Sequence, residues 1–379
     1  MRLRDLPLLG DLARRPPGEK RFLICVPLIG ILTGLSSAAL VWLLGQIQKV
    51  FWGSEHGILD TALGLPPLHR LLAPMIGGLL VGLLILLARQ SLRGHGASGI
   101  IEAVATRGGI IPLKPTFLRV GATLLTVGSG GSLGREGPLL RVGAALASLM
   151  ARTVGLSSHR VKILIGCGAA AGIAAAYNAP IGGALFAMEV ILGNFALESF
   201  GPIVISSVLA TVITRALMGD YLAYSPPPHE MLASAWELGN YLFMGLLIGI
   251  ASALFILALR GAERGFDRLP LPGWSKPLIG FSILGVIGIG FPHVFGNGYD
   301  TTNLVLNGAL PLKLILLLPI LKVLSTALTM GSGGAGGLFT PTLFVGAVLG
   351  SAYGSGCEAL FPGATSGPGA YALVGMGAM

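Results

Sequence analysis

The sequence predicts an all-α integral membrane protein made of two related halves, with helices that stop partway and restart. Three observations carry this reading. Hydrophobic residues make up 53% of the 379-residue chain and charged residues 11%, whereas soluble domains carry about 25% charge. Apolar stretches follow one another along the chain, and several are too short to cross ~30 Å of hydrocarbon as straight helices. Finally, residues 128–148 align without gaps on residues 331–351, at a constant offset of 203, with 12 of 21 positions identical. The matches include Gly128/Gly331, Pro138/Pro341, Gly143/Gly346 and Ser148/Ser351.

Residues 1–20 are polar, contain Pro16 and Pro17, and are expected to form a cytoplasmic surface arm. Arg2, Arg4, Arg14, Arg15, Lys20 and Arg21 precede the first apolar run, so the positive-inside rule keeps this end in the cytoplasm. The run from Phe22 to about Leu44 is roughly 35 Å long as a helix, enough to cross a bilayer. It starts too late and runs too long for a cleaved secretory signal. Residues 21–379 read as a single transmembrane domain. Its first half covers about 21–220, a linker with Ser225-Pro226-Pro227-Pro228 covers about 221–236, and its second half covers about 237–379. Further apolar stretches lie near 71–89, 116–127, 137–150, 160–193 and 201–217, then near 237–260, 276–292, 311–330 and 341–353. The cluster Arg152, His159, Arg160 and Lys162 marks a second cytoplasmic loop. The chain stops inside an apolar element at Met379, whereas the first half continues past the matching point, so the second half is expected to be truncated.

Several function classes are excluded. The net charge of +9 comes from Lys and Arg placed between apolar runs. They form no aromatic-interleaved patch, so nucleic acid is not an expected partner. Cys25, Cys167 and Cys357 lie far apart, without the spacing of a disulfide framework or a metal site. Gly128-Ser129-Gly130-Gly131-Ser132 is no nucleophile elbow, and it lacks the Lys-Ser/Thr of a phosphate loop. An enzyme is not expected, and no cofactor is expected. Broken helices at membrane depth are tolerated only where they are buried or line a cavity. Paired breaks in two repeats therefore point to a transport path through the lipid bilayer.

The repeated motifs carry the chemistry of such a path. In Gly134-Arg135-Glu136-Gly137-Pro138 the proline suits the first turn of a helix, where its missing N–H costs nothing. A helix is therefore expected to start near Gly137. The second repeat does the same at Gly337-Leu338-Phe339-Thr340-Pro341. Helix N-termini bind anions through partial charges, loosely enough to let an ion leave. Glu136 stands where such an anion would sit, so its carboxylate reads as a movable gate. Upstream, Gly96-Ala97-Ser98-Gly99-Ile100 offers a serine hydroxyl that can donate to a bare anion. Arg141, in an otherwise apolar helix, costs about 2.5–3.5 kcal/mol on insertion scales unless paired or wet. It reads either as an interface arginine or as added positive potential near the pore.

Together, Ser98-Gly99-Ile100, Gly134-Arg135-Glu136-Gly137-Pro138 and Gly337-Leu338-Phe339-Thr340-Pro341 resemble the three signature loops of CLC chloride channels and proton-coupled chloride exchangers. Ala176-Tyr177-Asn178-Ala179-Pro180 through Phe186 and Glu189 resembles the family's segment after the gate helix. The resemblance implies half-helices of two inverted repeats meeting at an anion pore, in a homodimer with one pore per subunit. It implies that Ser98 and the amides of Leu338 and Phe339 bind a central chloride. Glu136 would be the gating glutamate, with the Arg135 and Gly137 amides near an outer anion site.

Departures from the family pattern matter. The position of the exchangers' inner proton glutamate falls on Val190, which cannot carry a proton. Glu189, beside it, is the remaining acid on a proton pathway that includes Glu136. Channel-like chloride conduction is thus expected, with proton-coupled exchange as the alternative. Ile101 replaces the proline of the first loop. The family's central tyrosine lies in helices beyond Met379. The short loops suit the cell membrane of a bacterium.

Overall fold

A computed structural model of the chain describes residues 16–55, 57–88, 97–220, 223–225, 234–363 and 365–379. Most of the expected surface arm, the start of the Gly96–Ile100 loop and most of the linker lie outside these residues. The described elements are helical, and one isolated bridge, Gly134 with Gly337, is the strand-like feature among them. In chain order they are α1 (Pro17–Trp52), α2 (Leu59–Gly64), α3 (Pro67–Ala88), α4 (Ser98–Thr106), α5 (Leu113–Gly128), α6 (Glu136–Thr153) and α7 (Ser158–Tyr177). Next come α8 (Pro180–Phe186), a π-helical turn (Ala187–Leu192), α9 (Leu197–Met218), α10 (Glu237–Arg268) and α11 (Lys276–Gly290). A 3-10 turn (Pro292–Val294), α12 (Tyr299–Leu306), α13 (Leu312–Ser332), α14 (Phe339–Leu360) and α15 (Pro368–Ala378) complete the chain. Among the described residues, 7 helices are long and apolar enough to cross a membrane, namely α1, α3, α7, α9, α10, α13 and α14. The chain is therefore a multi-pass α-helical membrane protein.

The apolar stretch at 160–193 is not one helix. Asn178 adopts a left-handed conformation, with φ 56°, that ends α7. Asparagine tolerates this region because its short polar side chain can bond locally. Pro180 then starts α8 at a position where its missing N–H is harmless.

The helices gather into two compact units that interleave along the chain. The first draws on residues up to Trp42, 95–117 and 136–222. Its centre is α7, buried from Ile163 to Ala176 by a sequence of Ala, Gly and Ile. A helix apolar on every side belongs in such an interior. Small residues set its contacts. Gly143 of α6 and Gly168 of α7 lie so close that a methyl on either would overlap the other's carbonyl oxygen. Without a hydrophobic drive between helices in lipid, such close backbone packing supplies the attraction. Also in this unit, Arg21 near the start of α1 donates to the Val154 carbonyl at 3.2 Å.

The second unit draws on residues 43–94, 118–135 and 223–379. It repeats the same crossing: Gly346 of α14 and Gly375 of α15 exclude a methyl from each other's carbonyl oxygens. In the same unit α3 packs on α11, also through glycine. A buried carboxylate ties its far end. Glu237, at the start of α10, accepts from Ser366 Oγ at 2.8 Å and from the Ser366 amide, and Tyr371 Oη lies 3.3 Å away.

Candidate functional site

The two signature helices begin at matching points. α6 starts at Glu136 with Pro138 as its third residue, and α14 starts at Phe339 with Pro341 as its third residue. The expected start near Gly137 is thus one residue late, because Glu136 already has helical geometry and stands inside the first turn. The side chain of Glu136 is buried, with 2% of its surface exposed. Leu338 caps α14 at φ −97° and ψ −11°, half-buried, while Phe339 is exposed. The first N–H groups of each helix have no acceptor within the helix. These groups carry the partial positive charge of the helix end.

The chain reaches both helix starts through one seam, within the second unit. The Gly134 amide donates to the Gly337 carbonyl at 2.8 Å, and the Gly337 amide donates back to Gly134 at 2.8 Å. Just before this bridge, the Ser132 amide donates to Thr329 Oγ1 at 3.2 Å, and the Ala335 amide donates to Thr126 Oγ1 at 3.3 Å. Every one of these pairs exchanges residues related by the offset of 203. A reciprocal exchange of this kind is what a local two-fold relation between repeats produces. Each strand enters the seam by a turn at Gly130 (φ +103°) or Gly333 (φ +122°), backbone angles that glycine alone adopts at no steric cost. The turns close when Gly131 donates to Thr126 O at 2.7 Å and Gly334 donates to Thr329 O at 2.9 Å.

The seam is braced by two cations. The guanidinium of Arg135 stacks on Tyr299, the first residue of α12, at 5.3 Å from the ring centre. Lys322 of α13 is fully buried and donates from Nζ to the Val294 and Gly296 carbonyls at 3.1 and 3.0 Å. The Gly296 amide in turn donates to Gly130 O at 2.9 Å. Lys322 therefore secures the loop that supports the first turn of the seam. The sequence reading missed it. The one available signal is that its repeat position, Arg119, is also a cation.

In the first unit, Ser98 is the exposed first residue of α4. Gly99 follows, and the Arg141 guanidinium of α6 lies against it. Ser98 and the helix begun by Glu136 are thereby linked. Ile101 is partly exposed. Glu189 and Val190 occupy the π-helical turn and are both exposed. Val190 lines a cavity of about 320 Å³ with Ile101, Val104, His159, Lys162 and Asn194. Glu189 does not line it. His159 pairs with Glu198 at 3.6 Å on the same side.

The fold and site define a class: a multi-pass helical membrane protein with two glycine- and proline-led helices entered from one symmetric seam. The chain belongs to the CLC family, since the family model "Voltage gated chloride channel" matches residues 77–379. It is 39% identical, over 93% of its length and 83% of the relative's, to a Ralstonia nicotianae protein described as "Putative chloride channel protein ClcB-like". It is 34% identical to the Escherichia coli protein described as "Voltage-gated ClC-type chloride channel ClcB", over 90% of this chain and 82% of that one. Among solved structures it resembles that of a slow cyanobacterial Cl-/H+ antiporter, with a TM-score of 0.81, 24% identity, and coverage of 94% of this chain and 84% of that one.

Proposed function

We propose that this protein carries chloride across the cell membrane along a path gated by Glu136. The observation that carries the reading is the burial of an acid, Glu136, in the first turn of a helix whose amides favour an anion. A carboxylate and a chloride compete for such amides, so the acid blocks the path when charged and leaves it when protonated. Ser98 and the amides of Leu338, Phe339, Arg135 and Gly137 are the residues assigned to the ion. The names of the curated relatives, both chloride channels, support the same substrate.

The transport mode we favour is channel-like conduction. Val190 supports it, because an isopropyl group stands where an exchanger would need a second acid. Proton-coupled exchange is the second reading. It is favoured by Glu189, an exposed acid in the same π-helical turn. Chloride and pH recorded together in proteoliposomes separate the two. Chloride flux without proton movement supports conduction. Proton movement against a chloride gradient, abolished in Glu189→Gln, supports exchange. Glu136→Gln keeps chloride flux in either mode and removes its dependence on pH. A pH-dependent Glu136→Gln protein would overturn the gate.

The proposal puts the N-terminus in the cytoplasm, as the positive-inside rule suggests. Arg21 lies against the turn at Val154, so this residue of the first basic cluster shares one end of the first unit with Arg152 of the second. A homodimer in a bacterial plasma membrane is the proposed assembly. Ile181, Leu185, Leu197, Ile205 and Val212 are exposed apolar residues that lipid or a second copy would cover.

A further inference from the structure

The cavity of about 320 Å³ beside the π-helical turn takes no part in the function proposed above. It lies within the first unit and has two kinds of wall. Ile101 and Val104 of α4 and Val190 of the π-helical turn make the apolar one. Lys162 of α7, Asn194 of the loop after the π-helical turn and Ser199 of α9 make the polar one, with His159 at the start of α7. Both α7 and α9 are long and apolar enough to cross a membrane. These polar residues come from the first turns of the two helices and the loop between, so the cavity lies at the level of the bilayer surface. Phe195 and Leu197, beside it in the chain, are exposed apolar residues. Acyl chains suit such side chains and water does not.

The charges around the cavity leave one cation to spare. His159 pairs with Glu198 at 3.6 Å. Arg160 turns to α1, where its Nη1 would stand 3.1 Å from a methyl group on Gly18. Glu102 of α4 pairs with Arg107 at 2.6 Å, and Glu189 does not line the cavity. Lys162 is half-buried in the wall and forms no ion pair or side-chain hydrogen bond among the described residues. Ser199 is 6% exposed, and its hydroxyl also takes no protein partner among the described residues. An ammonium, an amide and a hydroxyl thus converge on an opening with an apolar side. A free anion would use the donors and waste the apolar wall. A phosphodiester that carries acyl chains uses both.

We propose that this cavity is a binding site for an anionic phospholipid. Lys162 holds the phosphate, Asn194 and Ser199 donate to headgroup oxygens, and the acyl chains leave along Ile101 and Phe195. Basic pockets between membrane helices take lipid headgroups in this way. The volume suits a headgroup, being at the small end of ligand pockets. Nothing in this inference depends on Ser98 or Glu136.

The test is a titration of the purified full chain, in neutral detergent, with phosphatidylglycerol, phosphatidylcholine or inorganic phosphate. It is read as the rise in melting temperature and, by native mass spectrometry, as lipid retained per chain. Phosphatidylglycerol is expected to raise the melting temperature and to be retained, and the other two are not. Lys162→Gln is expected to bind phosphatidylglycerol about fivefold more weakly, the effect of one basic side chain at an anionic surface. Lys162→Arg is expected to restore it. Equal retention of the two lipids, or wild-type affinity in a folded Lys162→Gln protein, overturns the inference. Stabilisation by inorganic phosphate as strong as that by phosphatidylglycerol assigns the cavity to a free anion and also overturns it. If Lys162→Gln does not fold, Asn194→Trp replaces it, since it fills the cavity from an exposed loop position. Lost retention then supports the inference and unchanged retention overturns it. A dimer that forms without lipid and that Asn194→Trp breaks would make a second copy the occupant, and that result overturns it as well.

Discussion

Thr126 and Thr329 each close their own turn through a carbonyl and receive the other repeat's amide on a hydroxyl. Replacing either with valine keeps the shape and removes the acceptor. A buried amide left without a partner costs about 1–3 kcal/mol. Thr126→Val and Thr329→Val should therefore lower stability by similar amounts, read as thermal melts in detergent. Strongly unequal losses would contradict the reciprocity of the seam. Lys322→Met is expected to cost as much, because two carbonyls lose their donor. At this scale Glu136, Leu338 and Phe339 were visible in the sequence because glycine and proline bracket them, and Ser98 because Gly96 and Gly99 flank it. Thr126, Thr329 and Lys322 were not. A threonine within an apolar helix looks like any other, and only the fold shows which amide it meets.

Among elements, the crossings of α6 on α7 and of α14 on α15 are held by glycine pairs. Gly143→Ala and Gly346→Ala each push two helices apart, at about 1–3 kcal/mol by the scale of overpacked cores. Reduced melting temperatures of comparable size in both variants check this. The repeat is also longer than its identities suggest. Gly77 packs on Ser129, and Gly280, at the same offset, packs on Ser332. Gly82 meets the Trp274 carbonyl, and Gly285 meets that of Leu71. Between these glycines few positions match, as at Gly78/Phe281, Leu79/Ser282 and Val81/Leu284, which hid the relation. The break at Asn178 was hidden for a related reason: hydropathy is continuous across it, and only backbone conformation changes. The starts of α6 and α14, by contrast, follow from proline placement to within a residue.

For the whole molecule, the membrane class and the repeat were legible in the sequence. It could not show how the chain divides, since the compact units interleave and do not follow the linker. The contact of Arg21 with the turn at Val154 makes a topological prediction. A cysteine placed at Arg160 should resist a membrane-impermeant thiol reagent in intact cells and react in inside-out vesicles. Cys25, Cys167 and Cys357 are buried and leave the background low. Labelling of intact cells would reverse the proposed orientation.

The seam also sets an order in time. Thr126 is synthesised 203 residues before Thr329, a delay of about 10–40 s at ordinary translation rates. Throughout that interval the Ser132 and Gly134 amides have no native acceptor, inside or beside a bilayer that offers none. The first motif must be sheltered, by water, by the insertion machinery or by provisional partners, until its counterpart arrives. Native structure around the gate is therefore a late event in the making of this protein, and the early half waits for the late one.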